Sequence, residues 1–214
     1  MGASTSSIAK KIFMSLSGLF LISFLVIHLS INLLTLFSAE AFNEASHFMA
    51  TNPVIQVMQY VLALGFIVHI VMGIKVTIQN RAARPIAYAS NKPSANSNWS
   101  SRNMIVTGML VLLFLVIHIK NLFWTMKFGD MNGMSDYELV TTLFTSPLFA
   151  FLYVFAFVLL GFHLDHGFQS AFQSVGANHN KYTPMIKSFG RIFSIVIAIG
   201  FSCIALKFFF FPVV

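Results

Sequence analysis

The sequence has a single cysteine, Cys203, among 214 residues. One thiol cannot form an intramolecular disulfide, so a disulfide framework is excluded. The C-x-x-C-H motif, which attaches one class of cofactor covalently, is also missing from the sequence. Any cofactor of that class must therefore be held by this chain without a covalent bond.

Charged residues are scarce as well. They make up 9% of the chain, whereas hydrophobic residues make up 57% and phenylalanine alone occurs 25 times. An ordinary soluble domain is about half apolar and about a quarter charged. The composition therefore predicts an integral membrane protein, because runs of roughly 20 apolar residues are long enough to cross a bilayer. Five such runs lie at about 12–37, 54–79, 104–127, 147–174 and 189–211. They predict one all-α transmembrane domain over 1–214.

Acidic residues number only six against 13 basic ones, and the two signs are separated along the chain. The alternating direction of the five runs brings most basic residues to one side, namely Lys10, Lys11, Arg81, Arg84, Lys92, Arg102, Lys181, Lys187 and Arg191. Five acids fall on the other side, namely Glu40, Glu44, Asp130, Asp136 and Glu138. Because basic loops stay in the cytoplasm, the N-terminus is predicted to be cytoplasmic. The basic surplus then reflects topology and lipid, and it gives no reason to expect nucleic acid as a partner.

A short motif occurs twice. "FLVIHLSINLL" covers 24–34 and "FLVIHIKNLF" covers 114–123, with Gly18 and Gly108 each ten residues before the histidine. The next runs also match, since "HIVMG" ends at Gly73 and "HLDHG" ends at Gly167. Runs one and two therefore look duplicated as runs three and four, which share their orientation.

The four repeated histidines fall at two predicted depths. His28 and His118 lie 17 and 16 residues from the basic boundaries Lys11 and Arg102. His69 and His163 lie 16 residues from the opposite boundaries, Pro53 and Pro147. At 1.5 Å per residue, these distances predict an outer and an inner histidine pair on levels roughly 8 Å apart.

Two facing pairs of neutral imidazoles indicate two bis-histidine haems held by a four-helix bundle. Intramembrane ionisable residues usually face the bundle interior and have a function. Occupation of both axial positions favours electron transfer over oxygen chemistry. Two alternatives are hydrogen bonds between neighbouring helices and a transporter that uses the histidines without haem.

Several neighbouring residues are candidate haem contacts. Gly73 and Gly167, and Gly18 and Gly108, would leave room for a flat ring, although glycine also serves helix packing. Ser17 and Thr107 lie eleven residues before His28 and His118 and are candidates for a hydrogen bond to the edge of the inner haem, or for bonds between helices. His166 is an alternative to His163. Asp165 has three possible roles: an ion pair, a proton path or contact with the membrane interface.

The segments "SSIAKKIFMSLSGLFLISFLVIHLSINL" and "FHLDHGFQSAFQSVGANHNKYTP" resemble the five-helix, two-haem cytochrome b membrane subunit of succinate:quinone oxidoreductases, the succinate dehydrogenases and fumarate reductases. The resemblance implies haem ligation by His28 with His118 and by His69 with His163, while the fifth helix packs beside the bundle without a ligand. It also implies an enzyme subunit of the bacterial inner membrane, bound to a flavoprotein and an iron–sulfur subunit on the cytoplasmic side. The dicarboxylate site would lie on the flavoprotein.

The resemblance further implies a quinone as electron partner, typically menaquinone. An acid near the outer haem would handle quinol protons, and Glu44 or Glu40 are the candidates in the segment that we expect to be an outer loop. Both are alternatively solvated loop acids, and His47 and His179 are expected in loops. A cytochrome b subunit of a formate dehydrogenase or hydrogenase would have the same haems and different partners.

Overall fold

The structure is a computed structural model that describes residues 7–82, 99–177 and 179–213. Five helices among these residues are long and apolar enough to cross a membrane, namely Ala9–Leu36, Pro53–Ala82, Met104–Phe128, Pro147–Ser174 and Thr183–Phe210. They are called the first to fifth spans. The described residues form helices and connecting turns without strands. The predicted all-α membrane fold with five spans is therefore confirmed.

The observed span limits differ from the predicted ones mainly at their starts. The helix of the first span begins at Ser7, and the fifth begins at Thr183 instead of about 189. Pro184 occupies the first turn of the fifth span, where a missing N–H has no hydrogen bond to lose. The added turns at the starts of the first and fifth spans contain lysines. Each of these helices therefore extends past its apolar stretch into the polar boundary. Arg84 and Lys92 lie outside the described residues.

Two spans contain irregular turns. The first span ends as a 3₁₀ turn over Leu34–Leu36. The third span consists of an α-helix over Met104–His118, a π-helical segment over Ile119–Trp124 and a last turn over Thr125–Phe128. π-helical turns are rare and occur often at functional sites. This one begins directly after His118.

Within the described residues, three shorter helices were not predicted. They cover Ala39–Thr51, Trp99–Arg102 and Asp136–Thr145. The expectation that His47, Glu40 and Glu44 lie in a loop is therefore wrong, since all three are helical. His179 does lie outside any helix. The Ala39–Thr51 and Asp136–Thr145 helices have 13 and 10 residues, which is too short to give an apolar run comparable with a span.

These two helices, called the connecting-helix pair, pack together over the bundle. Ser46 Oγ donates a hydrogen bond to Asp136 Oδ2 at 2.5 Å, and the Tyr137 backbone N–H donates to Asn43 Oδ1 at 2.9 Å. The rings of Phe42 and Tyr137 have centroids 6.4 Å apart. Each helix joins the two spans of one half of the repeat, so the duplication includes the connections as well as the spans.

Replacing Asn43 with alanine is expected to destabilise the protein by about 1 kcal/mol, because the Tyr137 N–H lies in the first turn of its helix and loses its only side-chain acceptor. The check is thermal unfolding of the detergent-purified protein. His47→Ala, an exposed change on the same helix, serves as the control. Equal losses in the two variants would contradict this role for Asn43.

The spans pack unevenly around the bundle. The fifth span packs along the fourth and also contacts the first, while the first also packs on the second and the third packs on the fourth. The largest fully buried side chains outside the third span are Tyr153, Ile197 and Phe208, on the fourth and fifth spans. No residue of the second span is buried, and its contact with the third span is slight. The centre of the first four spans is therefore open.

Candidate functional site

A cavity of about 2230 Å³ runs between the first four spans. Its walls are mostly apolar, and His28, His69, His118 and His163 all line it. Sites for a single small ligand usually measure about 300–1,000 Å³. The cavity therefore has room for more than one such molecule.

The structure brings the four histidines together in two pairs across the bundle. The His28 and His118 rings have centroids 5.7 Å apart and planes at 88°, and the His69 and His163 rings have centroids 6.3 Å apart and planes at 76°. These are the pairs that the repeat and the depth count predict. Two imidazoles on opposite sides of one metal, each with a bond of about 2 Å, would have ring centres roughly 6 Å apart. The centroid distances of both pairs are close to that separation.

Within the part of the chain that the structure describes, several buried polar atoms of the third and fourth spans have no hydrogen-bond partner. They are His118 Nδ1, His163 Nδ1, Tyr153 Oη and Asn121 Nδ2. Leaving a buried polar group unpaired costs about 1–3 kcal/mol. The first three belong to residues that line the cavity, so the protein alone leaves polar groups unsatisfied at the surface where a ligand would bind.

Two of the predicted glycines face the histidines of a neighbouring span. A Cβ atom at Gly18 would lie 3.3 Å from His69 Cε1, and one at Gly108 would lie 3.1 Å from His163 Cε1. These glycines therefore make room for the imidazole rings themselves, a contact that the sequence pattern did not predict.

The other two glycines face methionines, because Cβ atoms at Gly73 and Gly167 would lie 3.3 and 3.6 Å from the Cε atoms of Met14 and Met104. Equivalent contacts in the two halves extend the repeat to these methionines. All four glycines line the cavity. Their contact with a cofactor stays a prediction.

Ser17 lies beside the histidine of the second span, and Thr107 holds the equivalent position in the repeat. Ser17 Oγ donates to the Met14 carbonyl at 2.9 Å and lies 3.3 Å from His69 Nδ1. Thr107 Oγ1 donates to the Met104 carbonyl at 3.1 Å, and the residue is 1% exposed. The sequence left two alternatives for these hydroxyls, a bond to the haem edge and a bond between helices. Ser17 makes the contact between helices. A direct bond from either hydroxyl to a haem edge stays a prediction.

Asp165 forms a polar junction outside the histidine pairs. Its carboxylate accepts hydrogen bonds from Gln169 Nε2 at 3.0 Å and from Ser100 Oγ at 3.4 Å, and it lies 3.9 Å from Arg191 Nε. Among the three roles considered, the structure shows the ion pair. Arg191 is 68% exposed, so the pair adds little stability, and the main effect is to join the fourth span to its neighbours.

His166 lines the same cavity as His163. In the described part of the chain, however, His163 is the one whose ring faces a histidine of another span. The structure therefore favours His163 for the inner pair, in agreement with the repeat.

The opposite ends of the cavity differ in polarity. Lys11, Arg81 and Arg102 line the end beyond the His69–His163 pair. At the other end Lys127 Nζ donates to Gln59 Oε1 at 2.6 Å and to Gln56 Oε1 at 3.2 Å. The sequence did not predict this second cluster.

Glu44 lies on the exposed side of the Ala39–Thr51 helix, whereas Ala45, Phe48 and Met49 of that helix line the cavity. The predicted contact of Glu44 with quinone is not tested by this arrangement and stays a prediction.

Comparison with curated proteins finds a relative whose name agrees with the family that the sequence motifs resemble. The chain is 26% identical over 188 residues to the succinate dehydrogenase cytochrome b558 subunit of Bacillus subtilis (strain 168), and the match covers 86% of each chain. No family model matches the sequence, and no solved structure matches it. The resemblance to the cytochrome b subunits of succinate:quinone oxidoreductases is confirmed by this relative, and the five apolar spans fit a membrane cytochrome b subunit, a class of protein that carries haem.

Proposed function

We propose that the chain is the di-haem membrane anchor of a succinate dehydrogenase or fumarate reductase, and that it passes electrons between an iron–sulfur subunit and a membrane quinone. The observation that carries the proposal is the pair of facing histidine layers in one cavity. The relative from Bacillus subtilis supports the same class of protein.

The donor set of each layer suits haem better than a bare metal ion. A structural zinc site takes four protein ligands, whereas each layer of this cavity offers two imidazoles. A porphyrin would supply four further nitrogen ligands, so that two imidazoles from the protein would complete the ligand set of its iron. His28 and His118 would hold one haem b, and His69 and His163 would hold the second. When bound, haem supplies one-electron redox chemistry.

Other residues of the chain exclude water and compensate charge. Phe24 stacks on His28, with ring centroids 5.2 Å apart, and Phe114 lies 5.7 Å from His118. The hydrophobic shell around a metal site limits solvent access and thereby tunes its potential. Lys11, Arg81 and Arg102 at one end of the cavity provide positive charge where the carboxylates of a haem would need partners.

The basic end of the bundle is proposed to face the cytoplasm, where the flavoprotein and iron–sulfur subunits would bind. Lys10 Nζ donates to Gln79 Oε1 at 3.2 Å, so the N-terminal end of the first span and the C-terminal end of the second meet there. By the positive-inside bias, this end belongs on the cytoplasmic side of a bacterial inner membrane. The dicarboxylate chemistry would then occur on the flavoprotein, and this chain would be an enzyme only as a subunit.

A quinone, typically menaquinone in proteins that this chain resembles, is the proposed membrane partner. The His28–His118 end of the cavity lies under the connecting-helix pair, and Gln59 and Lys127 offer hydrogen-bonding groups there. Reduction of a quinone consumes two protons with two electrons, so polar groups near this end are needed to supply them. Glu44 is the proposed proton-handling acid.

The test is electron donation to the intact complex purified from the source membranes. Succinate is expected to donate electrons to the haem iron, which is seen as the absorbance bands of reduced b-type haem. It should also support reduction of a menaquinone analogue, and the preparation should contain flavoprotein and iron–sulfur subunits. Reduction by formate or hydrogen instead would identify a different respiratory enzyme. A preparation without haem absorbance would favour the non-haem transporter.

A further inference from the structure

The two nitrogens of an axial imidazole have different tasks. One binds the iron, and the other usually donates a hydrogen bond that fixes the ring and raises its basicity. At His69 that second partner is visible, because Ser17 Oγ lies 3.3 Å from Nδ1.

The bonding of Ser17 determines which way this hydrogen bond runs. A serine hydroxyl has one hydrogen and two lone pairs. Its hydrogen is directed to the Met14 carbonyl, 2.9 Å away. Toward His69 the hydroxyl can therefore only accept, so Nδ1 must carry the hydrogen. Nε2 of His69 is then the nitrogen with a free lone pair for a metal.

The second half of the chain repeats the arrangement. Thr107 Oγ1 directs its hydrogen to the Met104 and Asn103 carbonyls, at 3.1 and 3.2 Å. Gly108 lies against the His163 ring as Gly18 lies against the His69 ring. His163 Nδ1 is buried without a partner. Thr107 Oγ1 makes no hydrogen bond to this ring in the structure, but by the repeat it holds the position equivalent to Ser17 Oγ, and its lone pairs are the acceptor that we expect for Nδ1–H.

We propose that Ser17 and Thr107 are positioning residues for one haem, the one held by His69 and His163. Each hydroxyl accepts from Nδ1–H of its histidine and leaves Nε2 to the iron. The proposal rests on the haem assignment made under the proposed function. The His28–His118 pair has a different partner, since the side chain near His28 Nδ1 is the Asn32 amide, at 3.5 Å. The effect of the two hydroxyls is therefore confined to one of the two haems.

The consequence is electronic as well as structural. An acceptor on Nδ1–H makes the imidazole a stronger donor and stabilises ferric iron. Removing the acceptor should shift the balance toward ferrous iron. For one haem, we expect the ferrous-to-ferric ratio at a fixed potential to rise about tenfold in Ser17→Ala, which corresponds to about 59 mV for one electron.

The experiment is a redox titration of both haems in the purified complex. Ser17→Ala should raise the midpoint potential of one haem only, and Ser17→Thr should restore it. Thr107→Val, which nearly keeps the shape of the side chain, should raise the potential of the same haem, and Thr107→Ser should restore it. Ser30→Ala is the matched control, because Ser30 Oγ also bonds a carbonyl of its own helix, at 2.9 Å from the Val26 oxygen, on the exposed side of the first span.

Unchanged titrations in both Ser17→Ala and Thr107→Val would overturn the proposal, as would equal shifts in both haems. If Ser17→Ala loses haem, the Thr107→Val titration decides alone. The failure of the proposed function has a different signature, which is the absence of haem from the unchanged protein.

Discussion

The variant His118→Ala is expected to bind one haem per chain, against the two that we expect for the unchanged protein. In the unchanged protein the His118 ring faces His28, with 5.7 Å between the ring centroids, on a different level from His69 and His163. Loss of one axial ligand leaves His28 alone at that level. The other pair does not depend on His118. The measurement is the haem-to-protein ratio, together with the reduced-minus-oxidised spectrum of the purified variant.

His166→Ala provides the control for this loss. His166 also lines the cavity, on the same span as His163, and does not face a histidine of another span in the described part of the chain. The control variant should retain both haems. Two haems with unchanged spectra in His118→Ala would contradict the ligand assignment, and a haem lost from His166→Ala would reassign the ligand on the fourth span.

The variant Gly108→Leu is expected to lose the haem that His69 and His163 would hold. A Cβ atom at this position already lies 3.1 Å from His163 Cε1, closer than most such contacts, and a leucine adds three more carbon atoms. The third span packs on the fourth, so the ring must move away from the position facing His69. We expect the haem content to fall from two to one per chain. The remaining spectrum should be that of the haem held by His28 and His118.

Val106→Leu is the control for the substitution at Gly108. Val106 lies on the same span, is 52% exposed and does not line the cavity. This variant should keep both haems. Two haems with native spectra in Gly108→Leu would show that His163 does not hold a haem in the orientation described above.

The spans and the histidine pairs were accessible from the sequence because both depend on linear distance. An apolar run of sufficient length is a property of neighbouring residues, and a helix rises by a fixed distance per residue. The 16-residue distances to His69 and His163 therefore give their depth. Because the duplicated motif repeats these distances, the pairs follow before any rotation of the helices is known.

The contacts of neighbouring residues with the histidine rings depend on the rotation and tilt of the helices, which the sequence did not determine. The contact of Gly18 with His69, for example, requires the relative orientation of two spans. The connecting-helix pair was missed for a different reason. The Asp136–Thr145 helix has only 10 residues, starts in a capping box between Ser135 and Glu138, and depends for its position on bonds to residues 90 or more positions away, such as Asn43.

The most direct measurement is the haem content of the unchanged protein, purified in detergent, with its reduced-minus-oxidised spectrum. Two b-type haems per chain, both with the low-spin spectrum of bis-histidine iron, are the predicted result. A porphyrin-free preparation that still delivers electrons from succinate to quinone would contradict the account.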